Sequence, residues 1–317
     1  MMARKFFVAA VIVVSLIAIF LSGSSILAGK QYEIAFIVKS LTNPFWIDMK
    51  AGAESAAKDL NVKLQTMAPV KADNVEEQIR MIEDLIQRKI DAIVLAPADT
   101  KGIIPGIEKA NQAGVPVVIV NTKAAGGKIV SFVGAENFDA ATMIAERVVE
   151  KLNGKGKVVI LEGVPAAQTA IDRKNGFLSV LKKYSGIEIL ASQTANFQRA
   201  EGMMVMENLL QRFPHIDAVL CANDEMALGA LEAIDAAGRL KEMIVTGFDA
   251  NRDAVVAVRD GRLFLTCDQN SAAQGSEGVR AAVRYLNGES VPARIVTKVI
   301  LVDKTNVDSY LKKYGIK

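Results

Sequence analysis

Short runs of consecutive apolar residues alternate along the chain with longer segments whose apolar residues recur every three or four positions. The runs fall at 34–38, 62–65, 92–95, 117–120 and 129–133, and then at 157–161, 187–190, 218–221, 244–246 and 263–267. Between them, 74–89 places Val75, Ile79, Ile82 and Ile86 on one helical face, and 224–237 and 272–286 read as helices in the same way. Most of the strand-like runs are apolar throughout, so both of their faces must be covered. That predicts parallel sheets flanked by helices. The pattern runs for about a hundred residues and then repeats over a similar length, which predicts two doubly wound, Rossmann-like α/β domains with ligand groups at the C-terminal ends of the strands. No proline-rich or glycine-rich linker divides the halves, so the crossovers are short and direct, as in a hinge with a ligand cleft between its two bodies.

The first 28 residues read differently. Arg4 and Lys5 precede an apolar run from Phe6 to Leu21, and small residues lead to Ala28. A charged start, an apolar middle and a small-residue end make a secretory signal peptide over 1–28. The competing reading is an uncleaved N-terminal anchor, although the run is short for a membrane span. No later segment is apolar for long enough to cross a membrane. The expected location is therefore periplasmic, or the exterior of the cell envelope.

Composition narrows the chemistry. With 51% hydrophobic and 23% charged residues the chain is globular, and 38 basic against 35 acidic residues leave no electrostatic footprint for nucleic acid. The single histidine, His215, and two cysteines leave no metal site of the usual kinds, and no cofactor motif is present. Export permits a disulfide between Cys221 and Cys267, while two buried thiols at the ends of apolar runs are the plainer expectation.

The informative residues stand at strand ends. After the first run come Lys39 and then Asn43-Pro44-Phe45-Trp46, where Asn43 caps a helix and Pro44 opens it. Two adjacent aromatics cannot both face a core, so at least one lines the cleft. The 218–221 run ends in Asn223-Asp224; one of the pair caps the next helix, leaving the other free to face the cleft. Asp249 and Gln269 close two further runs, and Arg173 is expected early in a helix, where a cation opposes the dipole. Planar, bidentate groups beside aromatic rings suit a polyhydroxylated ligand, with rings covering C–H faces and forks meeting paired hydroxyls.

The segments Lys-Ser-Leu-Thr-Asn-Pro-Phe-Trp-Ile-Asp-Met-Lys, Asn-Asp-Glu-Met-Ala-Leu-Gly-Ala-Leu and Gly-Phe-Asp make the chain similar to the periplasmic sugar-binding proteins of ABC importers, in the ribose- and allose-binding group. The resemblance spans residue 31 to the C-terminus. It implies two lobes joined by three hinge strands, one of 29–135 plus 270–297 and the other of 136–269 plus 298–317, closing on one monosaccharide. Matched by position, the sugar contacts fall on Lys39, Asn43, Phe45, Trp46, Arg173, Phe197, Asn223, Asp249 and Gln269. It further implies a monomer that delivers a sugar or polyol to a membrane permease, and that serves a chemoreceptor in some cases.

One loop departs from the pattern. Where the resembling proteins place an acidic residue after the 117–120 run, followed in the ribose group by Arg, this chain has Asn121 and Thr122. An amide must pair its NH2 with an acceptor. Asn121 is therefore expected to favour a ligand presenting one, such as an allose-like hexose, a polyol or a modified sugar rather than ribose. The alternative class is an exported carbohydrate-processing enzyme using Asp249 and Asp268 as an acid/base pair. Asp268 and Gln269 are neighbours on a strand and point to opposite faces, so only one enters the cleft. No nucleophile elbow or phosphate loop accompanies them.

Overall fold

The structure, a computed structural model, describes residues 31–316; the expected leader at 1–28 lies outside the described residues. From Glu33 onward the apolar runs form two parallel sheets. The first holds β1 (Glu33–Ile37), β2 (Lys63–Met67), β3 (Ala92–Leu95), β4 (Val117–Val120) and β5 (Ser131–Gly134) in the order β5-β4-β3-β1-β2, with β11 (Arg294–Val296) added beside β5. Every residue of β3 and β4 is buried, as a strand covered on both faces must be.

Helices α2 (Val75–Gln87) and α3 (Ile104–Gln112) cover one face through Ile82, Leu85 and Ile107, packed on Ile93, Leu95 and Ile119. The other face carries α1 (Pro44–Asp59) and α9 (Ser271–Leu286). These two approach through glycine: a Cβ on Gly52 would lie 1.9 Å from the Ala272 carbonyl oxygen, and one on Gly275 would lie 2.0 Å from that of Met49.

The second sheet holds β6 (Lys155–Glu162), β7 (Gly186–Thr194), β8 (Ala218–Cys221) and β9 (Ile244–Thr246) in the order β7-β6-β8-β9. Residues α4 (Asn137–Lys151) and α5 (Gln168–Leu181) bury Ile144, Val148, Phe177 and Val180 on one face; α6 (Arg199–Arg212) and α7 (Asp224–Ala236) cover the other with Met206, Leu209, Leu231 and Ile234. Next to β9 runs Leu265, bridged to Thr246, and the chain continues into β10 (Thr266–Asp268), which pairs antiparallel with β12 (Ile300–Val302). Helices α8 (Arg252–Asp260) and α10 (Val307–Lys313) complete this half.

The chain passes between the sheets three times: from β5 to α4, from β10 to α9, and from β11 to β12. The fold is two doubly wound α/β lobes joined by these crossings, and the cleft lies between the C-terminal strand ends.

One expectation, about Arg173, needs correction, and the plainer one about the cysteines is met. Arg173 is the sixth residue of α5, not in its first turn, because the helix begins at Gln168. Its charge therefore needs no explanation against the dipole. The cysteines are free, both buried, and burial pushes both thiols up. Cys221 ends β8 while Cys267 lies in the segment beyond β9, two strand spacings or roughly 10 Å across the sheet, farther than a disulfide spans. They also pack into different cores.

Candidate functional site

A cleft of about 590 Å³ opens at the strand ends, and all ten residues singled out from the sequence line it. Lys39 follows β1. Asn43, Phe45 and Trp46 form the start of α1, and Asn121 follows β4. From the facing side come Arg173 on α5, Phe197 after β7, Asn223 after β8 and Asp249 after β9, while Gln269 stands on the crossing from β10 to α9.

The first wall is built by a helix cap. Asn43 accepts the Phe45 N–H at 3.0 Å with Pro44 at the first helical position, so both aromatics leave the cap in fixed directions. Their rings meet edge to face, 4.8 Å apart at 84°, a favoured quadrupole geometry. Both rings are buried and both line the cleft. The Lys39 Nζ lies 5.7 Å from the Trp46 ring.

On the facing wall Arg173 is held on several sides. Its Nε donates to Asn137 Oδ1 at 2.8 Å and its Nη1 to the Ala222 carbonyl at 2.7 Å, and its guanidinium carbon sits 3.6 Å over the Phe248 ring. Asp249 Oδ1 is 3.8 Å away. Asn137 and Phe248 were not picked out from the sequence. Phe248 lies inside the Gly-Phe-Asp segment that was noted, but its role as a platform for a side chain on another helix leaves no local trace.

Asn223 corrects the reasoning about its pair. It caps α7 by accepting the Met226 N–H at 3.0 Å, donates to the Phe197 carbonyl at 3.1 Å, and lines the cleft as well. Asp224 turns inward instead, accepting from Thr266 Oγ1 at 2.6 Å and the Asn251 N–H at 2.7 Å. The cap and the cleft residue are one side chain.

The polar groups join into a directed chain across the floor. Lys39 Nζ donates to Thr122 Oγ1 at 2.7 Å, Thr122 donates to Asn121 Oδ1 at 3.1 Å, Asn121 Nδ2 donates to Gln269 Oε1 at 3.2 Å, and Gln269 Nε2 donates to Asp249 Oδ1 at 2.7 Å. Gln274, fully buried on α9, accepts a second bond from Asn121 Nδ2 at 3.3 Å and donates to the Gln269 carbonyl at 2.8 Å. The Asn121 amide therefore has its acceptors inside the protein. The expectation that it must seek one on the ligand does not hold.

Several cleft residues have left-handed or extended positive φ: Asn121 at 61°, Phe197 at 61° and Asp249 at 128°. Asn tolerates this region, whereas Phe and Asp at such angles cost of order 1–3 kcal/mol each, a cost met at functional sites. The Phe197 ring lies over Gly163, where a Cβ would come within 2.0 Å of its Cζ; only glycine gives the ring room.

Burial sets the charges. Lys39 is pulled down to about 7 by burial, with Arg173 adding to the effect. Asp249 is held well above the usual carboxylate range by burial, which Arg173 only partly opposes. Asp224 is pushed up to about 7 by burial, against the Thr266 and Asn251 hydrogen bonds. Asp268 is absent from the cleft wall. It accepts from the Asn270 N–H at 2.7 Å and the Tyr310 hydroxyl at 3.2 Å. The acid/base pair of Asp249 with Asp268 is therefore not assembled in the cleft.

Residues 34–290 match the model of a periplasmic binding protein domain. The chain is 38% identical over 266 residues to the ribose import binding protein of Bacillus subtilis, covering 84% of this chain and 85% of that one. It is 33% identical over 298 residues to the D-allose-binding periplasmic protein of Escherichia coli, covering 91% and 95%. Among solved structures, an ABC transporter solute binding protein from Bacillus halodurans with bound myo-inositol superposes with a TM-score of 0.85 at 32% identity, over 90% of this chain and 98% of that one. One from Actinobacillus succinogenes with bound D-allose gives 0.84 at 32% identity, over 88% and 100%. With its two sheets, its three crossings and this cleft, the chain belongs to the periplasmic binding protein domain family, whose members bind solutes rather than transform them.

Proposed function

We propose that the protein captures a monosaccharide or a related polyhydroxylated solute between its lobes and hands it to the permease of an ABC importer. One observation carries the reading: aromatic rings and planar hydrogen-bonding groups from both lobes converge on a single cleft of about 590 Å³. Phe45 and Phe197, from opposite lobes, are suited to the C–H faces of a ring, and Asn43, Arg173, Asn223 and Asp249 to its hydroxyl edge. Lys39, Trp46, Asn121 and Gln269 complete the set. The names of the relatives, which are ribose, allose and apiose binding proteins, support a sugar-type ligand.

The lobes are assigned as 29–135 plus 270–297 and 136–269 plus 298–317, which agrees with the sheet membership of the strands. The relatives' names imply a periplasmic setting. Export through the 1–28 segment, a monomeric state and docking to a chemoreceptor are parts of the same proposal. A structural relative that is the fructose-binding domain of a hybrid two-component system supports the sensory branch.

A thermal-shift screen against pentoses, hexoses, polyols and sugar acids tests the reading. A ligand at a hundred times its Kd adds about 2.7 kcal/mol of stability, a shift of several degrees. No stabilisation by any of them overturns it.

A further inference from the structure

Of the buried charged side chains that line the cleft, two are cations, Lys39 and Arg173, and one is a carboxylate, Asp249, while Asp224 lies buried behind the wall and is held by Thr266 and Asn251. Lys39 is 5% exposed, and its Nζ meets one protein acceptor, the Thr122 hydroxyl, with the Trp46 ring beyond it. Among the described residues no carboxylate lies within ion-pair distance of it. Arg173, 3% exposed, is the second cation, and Asp249, 8% exposed, is the carboxylate that answers them, already engaged by Gln269. The other acidic residues of the wall are Glu225, paired with Arg199, Glu201, which accepts from Asn196, and the exposed Asp73. The directed chain of hydrogen bonds explains why no protein group repairs the imbalance. Every donor in it points from Lys39 toward Asp249, so the cation stands at the donor end of an aligned row with nothing negative beside it. Two of its three N–H donors have no protein partner.

Burying a charge is costly unless it is paired. A neutral sugar would seal Lys39 in without pairing it, whereas a ligand with one negative charge would balance the two cations and Asp249. A dianionic phosphate ester would overshoot. We infer that the preferred ligand is a sugar acid, an aldonate or a uronate, whose carboxylate docks on Lys39 while its hydroxyls meet Asn43, Arg173, Asn223 and Asp249. This deepens the sugar-binding reading and rests on it. Burial, with Arg173 adding to it, pulls Lys39 down to about 7, and a carboxylate docked beside the amine would favour its charged form.

The test is titration calorimetry at about pH 6, where Lys39 is charged, with matched pairs that differ in one group: ribonate against ribitol, allonate against allitol, galacturonate against galactose, with ribose 5-phosphate as a further arm. The expected result is an acid binding at least about tenfold more tightly than its neutral partner, the scale of one charge-assisted hydrogen bond. Lys39→Met, which keeps the length of the chain without the charge, should bring that ratio close to one, with a circular-dichroism melt checking its fold. The wild-type ratio stands whether or not the variant folds. If neutral partners bind and no acid binds better, or if the phosphate ester wins, the inference is overturned while sugar binding stands. If the acid's advantage survives Lys39→Met, Lys39 is not its seat. If nothing binds, both readings fall.

Discussion

Single side chains in the cleft are set by partners far away in sequence. Gln269 must turn its NH2 to the Asp249 carboxylate, so its carbonyl oxygen faces Asn121; Gln274 must turn its NH2 to the Gln269 backbone carbonyl, so its oxygen faces Asn121 too. Position 121 is thus surrounded by acceptors and requires a donor. Asn121→Asp, which looks like a return to the resembling proteins, should lower stability by about 1–3 kcal/mol in denaturant melts; unchanged stability would refute this account of the amide pair. Most residue types at the site were readable from strand ends and helix starts, Phe197 came only through the resemblance, and the orientation of Asn121 was not readable, because Gln274 is 153 residues distant. Lys39 gives a second prediction. Its folded value, about 7, lies below its ordinary 10.5, so between those values the unfolded chain holds more protons and stability rises with pH. Below about pH 7 the full cost of charging the buried amine is present. Around the amine stand Arg173, Thr122, Trp46 and, through the hydrogen-bonded row, Asp249. Measured against Lys39→Met, the wild type should gain stability from about pH 7 to 10.5, by on the order of a few kcal/mol. A flat difference would show that Lys39 does not titrate there.

The elements carry these side chains to one another, and the α1–α9 pair is the joint that matters most. The first turn of α1 bears Phe45 and Trp46, while α9 begins two residues after Gln269 and carries Gln274. Their separation is fixed by glycine, since a Cβ on Gly275 would meet the Met49 carbonyl at 2.0 Å, a backbone atom that cannot swing aside. Gly275→Ala should push α9 away, costing about 1–3 kcal/mol of stability and weakening ligand binding together with it. Loss of stability with intact affinity would mean that the joint does not set the aromatic wall. The apolar strands and amphipathic helices were legible because each buries a face with its own period. The three-residue strands β11 and β12 were not. They are only three residues long and partly exposed, and although 299–302 is an apolar run it is too short to announce its pairing; the strands exist because the last crossing brings them beside β5 and β10. The Gly52–Gly275 approach was equally silent, since a glycine in a helix says nothing about which backbone will come near it.

Across the whole molecule the two lobes meet at a clasp as well as through the three crossings. Thr100, in the loop after β3, donates its N–H to the Ala166 carbonyl at 3.0 Å, and its Oγ1 accepts the Gln168 N–H at 2.9 Å. Helix α5 has no side-chain cap of its own, so Thr100 caps it from the opposite lobe. That helix carries Arg173. Both bonds cross from one lobe to the other, so opening of the hinge should break them and leave the first turn of α5 without its acceptor. A contact made in one of two states shifts the equilibrium between them by its own free energy. Nothing in the sequence around Thr100 signals this, because its partner belongs to the other repeat of the α/β pattern. Thr100→Val keeps the shape and removes the hydroxyl. Loss of a cap costs about 1 kcal/mol, here borne by the closed state alone, so affinity should fall roughly fivefold, while Thr100→Ser should restore it. In small-angle scattering the variant without ligand should have the larger radius of gyration, and saturating ligand should bring variant and wild type to the same compact value. Equal affinity in the two proteins would show that the clasp does not contribute to closure, and a radius that ligand leaves unchanged in the wild type would count against the hinge itself.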